Sequence, residues 1–271
     1  MLEIAIIDAF ADRPFGGNPA AVVWLPEPLA EGQYGAIAAE MNLSETAFVR
    51  PVGDIYELRW FTPTQEVDLC GHATLATAWF LQARGLAPPY RFTTRSGTLT
   101  ATVQNGQIRL DFPAVPLTVC PAPLAQALSV LGLEPVGIAG PYALGLLPDE
   151  AAVVNFQPDL GAIAALPTAQ ALVITAPAAD PATDFVSRFF APAMGILEDP
   201  VTGSAHCSLG PYWGDRLGKT RLRARQCSAR GGRLTVICRG DRVELQGSAV
   251  TVLTGRLHIS RKLALEPSSE E

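Results

Sequence analysis

Residues 96–112, SGTLTATVQNGQIRLDF, and residues 231–247, GGRLTVICRGDRVELQG, align with each other without a gap. The dipeptide Asn105-Gly106 falls on Gly240-Asp241 in this alignment. Each stretch consists of two alternating strands joined by a two-residue turn whose residues tolerate positive φ, which is a strong signal for a β-hairpin. The repeat of the hairpin is the first indication that the chain contains two similar halves.

The same order of signals precedes both hairpins. The first half has Phe61-Thr62-Pro63, Gly71-His72-Ala73 and Arg84-Gly85, and the second has Phe190-Ala191-Pro192, Gly203-Ser204-Ala205 and Arg216-Leu217-Gly218. The shared order indicates an internal duplication with only two copies. We therefore predict two similar domains, residues 1–115 and 116–271, and the last strand could return to the N-terminal domain.

The segment HATLATAWFLQARG, residues 72–85, has apolar residues on all sides of a predicted helix, as is typical of a buried helix. Short alternating strands surround it, so we predict an α+β fold in which an antiparallel sheet wraps around a central helix. In the second half, Gly210-Pro211 is expected to bend or end the equivalent helix early. Residues 120–135 and 159–167 are predicted as outer helices, and residues 1–10 contain the first strand.

Composition excludes several classes of protein. The chain has 271 residues, of which 48% are hydrophobic and 17% charged, and its net charge of −6 disfavours nucleic acid as a partner. The alternating Lys219, Arg221, Arg223 and Arg225 are interpreted as the solvent face of a strand. Five cysteines suit a reducing compartment, and no apolar run reaches the ~20 residues that a bilayer requires. We therefore expect a cytoplasmic protein that does not enter a membrane.

A pseudo-twofold axis between the halves would bring the turns at Gly71 and Gly203 face to face across a cleft. Each turn opens a helix, where free N–H groups and the helix dipole favour an anion. Two such helix ends would form a binding site for a carboxylate or an oxyanion without a phosphate-binding loop.

Three chemistries compete as explanations of the reactive side chains at these turns. A hydrolase would pair Ser204 with a histidine, but Ser204 and His206 lie two residues apart and there is no Gly-x-Ser-x-Gly motif. A metal site would use Cys70, His72, His206 and Cys207, whose spacing is unusual for metal ligands. Proton transfer needs one base and an anion hole, which the two turns could supply.

Four motifs resemble those of the phenazine-biosynthesis PhzF-like isomerases, which share the fold of diaminopimelate epimerase. They are DAFADRPFGGNPAAVV (8–23), NLSETAFV (42–49), RWFTPTQEVDLCGHATLATA (59–78) and EDPVTGSAHCSLGPYW (198–213). The resemblance implies two pseudo-symmetric, β-barrel-like domains, each around a central helix, with the active site in the cleft between them. It also implies a homodimer and cofactor-independent isomerisation of a small carboxylate substrate, with no metal.

The resemblance also suggests the site residues. It implies that Glu45 is the acid/base that moves a proton between two carbons, with His72 and Asp199 as further catalytic groups. It places substrate contacts at Asn18, Asp68, Gly71, Gly203 and Ser204. For His72, a structural role in its own helix turn is an equal alternative. A glutamate with this role needs burial to raise its pKa towards ~6–7, and Ala47, Phe48 and Val49 are consistent with such a pocket.

Two alternatives remain open. Epimerases of this fold place a cysteine at each turn, whereas here Cys70 precedes Gly71 but the second turn reads Asp199-Pro200-Val201-Thr202-Gly203. Cys207 lies one turn further along and is expected to point elsewhere, so a two-thiol epimerase is the second choice. The other alternative is a dimeric binding protein without turnover, which would not exchange a substrate C–H with solvent.

Overall fold

The computed structural model describes residues 1–259. The first half contains, in chain order, β1 (Leu2–Ala9), β2 (Asn18–Trp24), α1 (Glu31–Met41), β3 (Glu45–Val52), β4 (Ile55–Phe61), β5 (Glu66–Val67), α2 (Gly71–Ala83), β6 (Tyr90–Thr94), β7 (Gly97–Gln104) and β8 (Gln107–Pro113).

The second half repeats this plan with more outer helices. It contains α3 (Ala122–Val130), β9 (Glu134–Ala139), β10 (Tyr142–Leu146), α4 (Glu150–Asn155), α5 (Leu160–Ala164), β11 (Ala171–Pro177), β12 (Phe185–Ala191), β13 (Ile196–Asp199), α6 (Gly203–Leu217), β14 (Arg221–Gln226), β15 (Gly232–Arg239), β16 (Arg242–Gly247) and β17 (Ala249–Leu257). A 3-10 turn, Pro192–Met194, precedes β13.

Strand pairing follows the same scheme in both halves. β2 pairs in parallel with β3, and β10 pairs in parallel with β11. β4 is parallel to β6, as β12 is to β14, and each half ends in an antiparallel hairpin. The structure therefore confirms the α+β class and the two pseudo-symmetric halves. The division of the chain between residues 115 and 116 stays a prediction.

The hairpins also join the two halves. β8 pairs antiparallel with β16, with Leu110 opposite Leu245, so one sheet runs from the first half into the second. β17 then pairs antiparallel with β1, which brings the end of the described chain back to its beginning. Asn105 and Gly106 both have positive φ, and Gly240 does so in the second turn, as the hairpin prediction requires.

The helix α2 is buried on nearly all sides, as its apolar pattern predicts. Residues from His72 to Ala78 are all buried, and Trp79 is half-buried with its Nε1 donating to Thr251 Oγ1. The outer helices predicted near residues 120–135 and 159–167 are α3 and α5. Two helices, α1 and α4, were not predicted.

The second central helix does not end early at Pro211, so that part of the prediction, which allowed a bend or an early end, is wrong. α6 continues to Leu217, although a proline inside a helix removes the N–H that would bond to the carbonyl four residues earlier. That carbonyl, of Cys207, instead accepts a hydrogen bond of 3.0 Å from the N–H of Val115. The segment that links the two halves thus replaces the missing helical bond.

The predicted solvent face of the basic stretch is confirmed for Arg221 and Arg223, whereas Lys219 precedes the strand and Arg225 is half-buried and paired with Glu150. On β14, Leu222 and Ala224 are buried, while Arg221 and Arg223 are exposed. Within residues 1–259, none of the helices has both the length and the apolar character that crossing a membrane would demand.

Candidate active site

The amino-terminal ends of α2 and α6 touch each other. A methyl group added to Gly71 would lie only 3.7 Å from the Cα of Gly203, and one added to Gly203 would lie 3.7 Å from the Cα of Gly71. The prediction that these turns face each other is confirmed. Both helices direct their first free N–H groups and the positive ends of their dipoles towards this junction.

A cavity of about 350 Å³ opens at the junction of the two helices. Apolar side chains of both halves, among them Val67, Leu69, Phe112, Phe189, Met194 and Ile196, form much of its wall. The polar groups on the wall are those of Glu45, Cys70, His72, Tyr142, Asp199, Thr202, Ser204 and Cys207. None of the described residues that line this cavity is Lys or Arg, so an anion bound here would rely on N–H and hydroxyl groups.

Glu45 is the first residue of β3 and faces the cavity. Its side chain is only 14% exposed, and burial, reinforced by the charge of Asp199, raises its pKa to about 8, against a smaller opposing effect of a hydrogen bond from Cys70. A carboxyl group in this state can exchange a proton near neutral pH.

His72 lies beside Glu45 in the first turn of α2. Its Nε2 is 3.2 Å from Oε2 of Glu45, but the two atoms are not aligned as a hydrogen bond and neither has another partner among the described residues. Burial lowers the pKa of His72 to about 3, so the ring is neutral at ordinary pH. Nδ1 faces the amide nitrogen of Asn18 at 3.3 Å and the sulfur of Cys70 at 3.5 Å. Because an amide nitrogen can only donate, the tautomer with its ring hydrogen on Nε2, towards Glu45, fits the contact with Asn18.

Asn18 connects the two halves at the floor of the site. Its buried Nδ2 donates to Oδ1 of Asp199 at 2.8 Å and to the carbonyl of Val201 at 3.0 Å. The second carboxyl oxygen of Asp199 accepts from the hydroxyl of Thr202. Burial raises the pKa of Asp199 to about 6, and these two hydrogen bonds act in the opposite direction.

Gln226, at the end of β14, holds the turn that carries Asp199. Its Oε1 accepts from the N–H of Thr202 at 2.9 Å, and its Nε2 donates to the carbonyl of Asp199 at 2.7 Å. A lone glutamine at the end of an alternating strand gives no sequence signal, so only the fold reveals this contact.

Tyr142 is a second residue of the site that belongs to no sequence motif. It begins β10, packs edge-on against Phe189, and its hydroxyl lies 3.1 Å from Oγ of Ser204. Burial raises the pKa of Tyr142, so its hydroxyl remains protonated. Ser204 is therefore paired with a tyrosine, and the hydrolase alternative with a Ser–His pair is not supported.

The structure does not place Asp68 in the site. Its side chain is 69% exposed and pairs with Arg95 at 3.2 Å, while its neighbours Val67 and Leu69 line the cavity. Alternation along the extended chain explains the error, because successive side chains point to opposite sides. The other predicted residues, listed here together, do meet at the junction: Asn18, Glu45, Gly71, His72, Asp199, Gly203 and Ser204.

The two thiols occupy unequal positions. Cys70 is the N-cap residue of α2, and the corresponding N-cap residue of α6 is Thr202. Cys207 does not point away as predicted, because it lines the same cavity, where its Sγ donates to the carbonyl of Gly203 at 3.7 Å. Burial raises the pKa of Cys70 well above its usual value and that of Cys207 to about 12.

The four residues considered as metal ligands do not form one cluster. Within residues 1–259, the possible donor group comprises Glu45, Cys70 and His72, whose ligand atoms lie within 4.8 Å of one another. His206 is fully buried, its Nδ1 donates to the carbonyl of Thr202 at 2.7 Å, and its ring stacks on Phe185. These contacts assign His206 to the packing of α6.

Comparison with known proteins identifies the family of this chain. The family model described as phenazine biosynthesis-like protein matches residues 7–255. An uncharacterized isomerase of Pseudomonas aeruginosa is 50% identical over 264 residues, which cover 96% of this chain and 99% of the relative. The crystal structure of a phenazine biosynthesis protein of the PhzF family from Enterococcus faecalis has a TM-score of 0.89 at 42% identity and covers 95% of this chain and 99% of its own.

A more distant structure shares the fold alone. A protein named as a predicted epimerase from Pseudomonas aeruginosa has a TM-score of 0.71 at 22% identity, with 96% of this chain and 100% of that chain covered. The family model and the 50% identical relative both span nearly the whole chain. The chain therefore belongs to the phenazine biosynthesis-like isomerase family.

Proposed function

We propose that the protein is a cofactor-independent isomerase that moves a proton between two carbons of a small carboxylate substrate, with Glu45 as the single acid/base. The observation that carries the proposal is the position of the Glu45 carboxyl. It is buried in the wall of the cavity with its pKa raised to about 8, beside the junction of two helix amino-termini.

The proposed reaction needs no group beyond the substrate and this chain. In the ionised form, Glu45 accepts a proton from a substrate C–H, and the electron pair left on carbon spreads into a π system conjugated with the substrate carboxylate. The protonated Glu45 then donates the same proton to another carbon of that anion. The bond broken and the bond formed are both C–H bonds, so the product is an isomer of the substrate.

The helix ends supply the stabilisation that this anion requires. The N–H groups around Gly71 and Gly203, with the hydroxyls of Ser204 and Tyr142, are the donors that would hold the substrate carboxylate as negative charge moves onto it. Apolar side chains such as Phe112 and Phe189 suit an uncharged remainder of the substrate.

His72 and Asp199 act on Glu45 from two sides. A small rotation of the Glu45 carboxyl would align it with the Nε2 hydrogen of neutral His72, which would orient the ionised base. The negative charge of Asp199 keeps the proton affinity of Glu45 high, and Asn18 fixes Asp199 in place.

Exchange with solvent tests this proposal directly. Small unsaturated carboxylates would be incubated with the protein in D2O and followed by NMR for loss of a C–H signal and for formation of an isomer. We expect Glu45→Gln to lower the rate by ~10²–10⁴-fold or more, since an amide cannot accept the proton. Glu40→Gln, on the exposed face of α1, is the matched control and should retain the rate.

The fate of the transferred hydrogen distinguishes one base from two. With one carboxyl, part of a deuterium label on the substrate should return to the product in H2O, because the same group removes and delivers it. Full replacement of the label by solvent hydrogen, together with an active Glu45→Gln variant, would refute the single-base mechanism. Absence of any exchange across a broad set of carboxylates would favour a binding protein.

A further inference from the structure

A second cavity, of about 390 Å³, lies where the loop before β2 meets the loop between β14 and β15. The backbones of Gly16, Gly17, Gly231 and Gly232 line part of it, and the N–H of Gly17 donates to the carbonyl of Gly231 at 2.7 Å. We call it the arginine cavity, because Arg13, Arg225, Arg230 and Arg233 also line it.

Two of these arginines, Arg225 and Arg230, form ion pairs with acidic residues that do not line the cavity. Arg230 donates from Nη2 to Oδ1 of Asp8 at 2.7 Å, and its Nε donates to the carbonyl of Gly17 at 2.9 Å. Arg225 donates from Nη2 to Oε1 of Glu150, but its Nε is buried and has no partner within residues 1–259. Both guanidinium groups are therefore fixed in position by their ion pairs.

The other two arginines are unpaired. In the described part of the chain, the side chains of Arg13 and Arg233 make neither a hydrogen bond nor an ion pair, and both are exposed. The acidic residue among the lining side chains is Asp12. Four guanidinium groups and three carboxylates, those of Asp8, Asp12 and Glu150, leave an excess of one positive charge here, on a protein whose net charge is −6.

We propose that the arginine cavity binds a small molecule that carries a phosphate group. Guanidinium groups present forked donors that match phosphate oxygens, and the unpaired Arg13 and Arg233 provide them here, beside the fixed positive groups of Arg225 and Arg230. The volume lies in the range of small-molecule sites, ~300–1,000 Å³, and exceeds what a single inorganic anion fills. Few apolar side chains line the cavity, in contrast to the candidate active site, so the rest of the ligand should be polar.

The arginine cavity is separate from the candidate active site, but it shares a loop with a residue of that site. Gly17 directly precedes Asn18, the residue that holds Asp199. A ligand on the Gly16–Gly17 backbone would therefore contact the loop that positions Asn18.

Isothermal titration calorimetry with ribose 5-phosphate, inorganic phosphate and chloride at equal ionic strength tests the proposal. We expect saturable binding of ribose 5-phosphate, weaker binding of inorganic phosphate and none of chloride. The double variant Arg13→Gln/Arg233→Gln should raise the Kd of ribose 5-phosphate at least tenfold. Because neither side chain has a partner in the described chain, its Tm without ligand should stay close to that of the wild type.

Arg91→Gln is the matched control, since Arg91 is an exposed arginine on β6 without an ion pair in the described chain. It should leave the Kd unchanged. Equal losses in the control and the double variant would show general charge attraction and overturn the proposal. So would a folded double variant with an unchanged Kd, or binding of inorganic phosphate as tight as that of the ester, which would make this a site for the free anion.

Discussion

Glu45 Oε2 lies 3.2 Å from His72 Nε2, inside a wall that excludes most water from both groups. Burial moves the two pKa values in opposite directions, to about 8 for Glu45 and to about 3 for His72. The neutral forms of both side chains are therefore favoured at pH 7. The pair is better described as a carboxylic acid beside a neutral imidazole than as a salt bridge.

The pH dependence of turnover should follow Glu45. A base with a pKa of about 8 is ionised in roughly one molecule in ten at pH 7, so kcat/KM should rise about tenfold per pH unit below 8 and level off above it. Initial rates between pH 5.5 and 9.5 on a substrate that turns over would measure this. A rate that falls above pH 8 would mean that protonated Glu45 acts first, as an acid.

Stability should depend on pH through the same group. The folded-state pKa of Glu45 is raised from 4.5 to about 8, so its contribution to stability is full below pH 4.5 and is lost as the pH rises through 8. Glu45→Gln cannot lose this proton. Relative to wild type, the variant should gain up to about 1.4 kcal/mol per pH unit between pH 5 and 8. Urea unfolding at several pH values checks this, and parallel curves would contradict the raised pKa.

Close packing around α6 predicts a strong effect at Gly210. A methyl group there would lie 2.5 Å from Cγ1 of Val236, so Gly210→Ala should cost roughly 1–3 kcal/mol through overpacking. Gly35, inside α1, has no atom within 4 Å of the same position. Gly35→Ala should instead add about 0.5–1 kcal/mol, because alanine favours helix. Thermal or chemical unfolding of both variants distinguishes the two effects, and equal changes would contradict the packing argument.

Local signals in the sequence were sufficient for the repeated elements of the fold. Asn105-Gly106 and Gly240-Asp241 determine turns through backbone preference, and the apolar pattern from His72 to Ala83 determines a buried helix. The continuation of α6 past Pro211 has a non-local cause, because the carbonyl of Cys207 finds its partner in Val115, far away in the chain. The homodimer remains a prediction.

Only the site residues that lie within the family motifs could be predicted from the sequence. Glu45 was found through its family resemblance, since a glutamate between a serine and a threonine looks like an ordinary surface residue in a strand. Tyr142 and Gln226 belong to no motif and reach the site because β10 and β14 bring them there. The prediction that Asp68 contacts the substrate was wrong for the opposite reason. Asp68 lies within a motif, but its side chain points away from the cavity.

Replacement of Cys70 by serine distinguishes the two enzymatic mechanisms. A two-thiol epimerase needs one thiol to remove a proton and an opposing thiol to supply one, so the loss of either should lower activity by orders of magnitude. In this chain the N-cap position opposite Cys70 is occupied by Thr202, whose hydroxyl is a much weaker acid and already donates to Asp199.

With Glu45 as the only acid/base, Cys70→Ser should retain activity within about tenfold and cost on the order of 1–2 kcal/mol in stability. A serine hydroxyl can keep a polar contact with Glu45 and with Nδ1 of His72, which lies 3.5 Å from the present sulfur. Cys207→Ser is the matched control, since this thiol lines the same cavity and serine can make the same bond to the carbonyl of Gly203. Rates and unfolding curves of wild type and both variants would be measured together. A loss beyond a hundredfold in a folded Cys70→Ser protein would make that thiol part of the chemistry, and an equal loss in Cys207→Ser would restore the two-thiol mechanism in spite of Thr202.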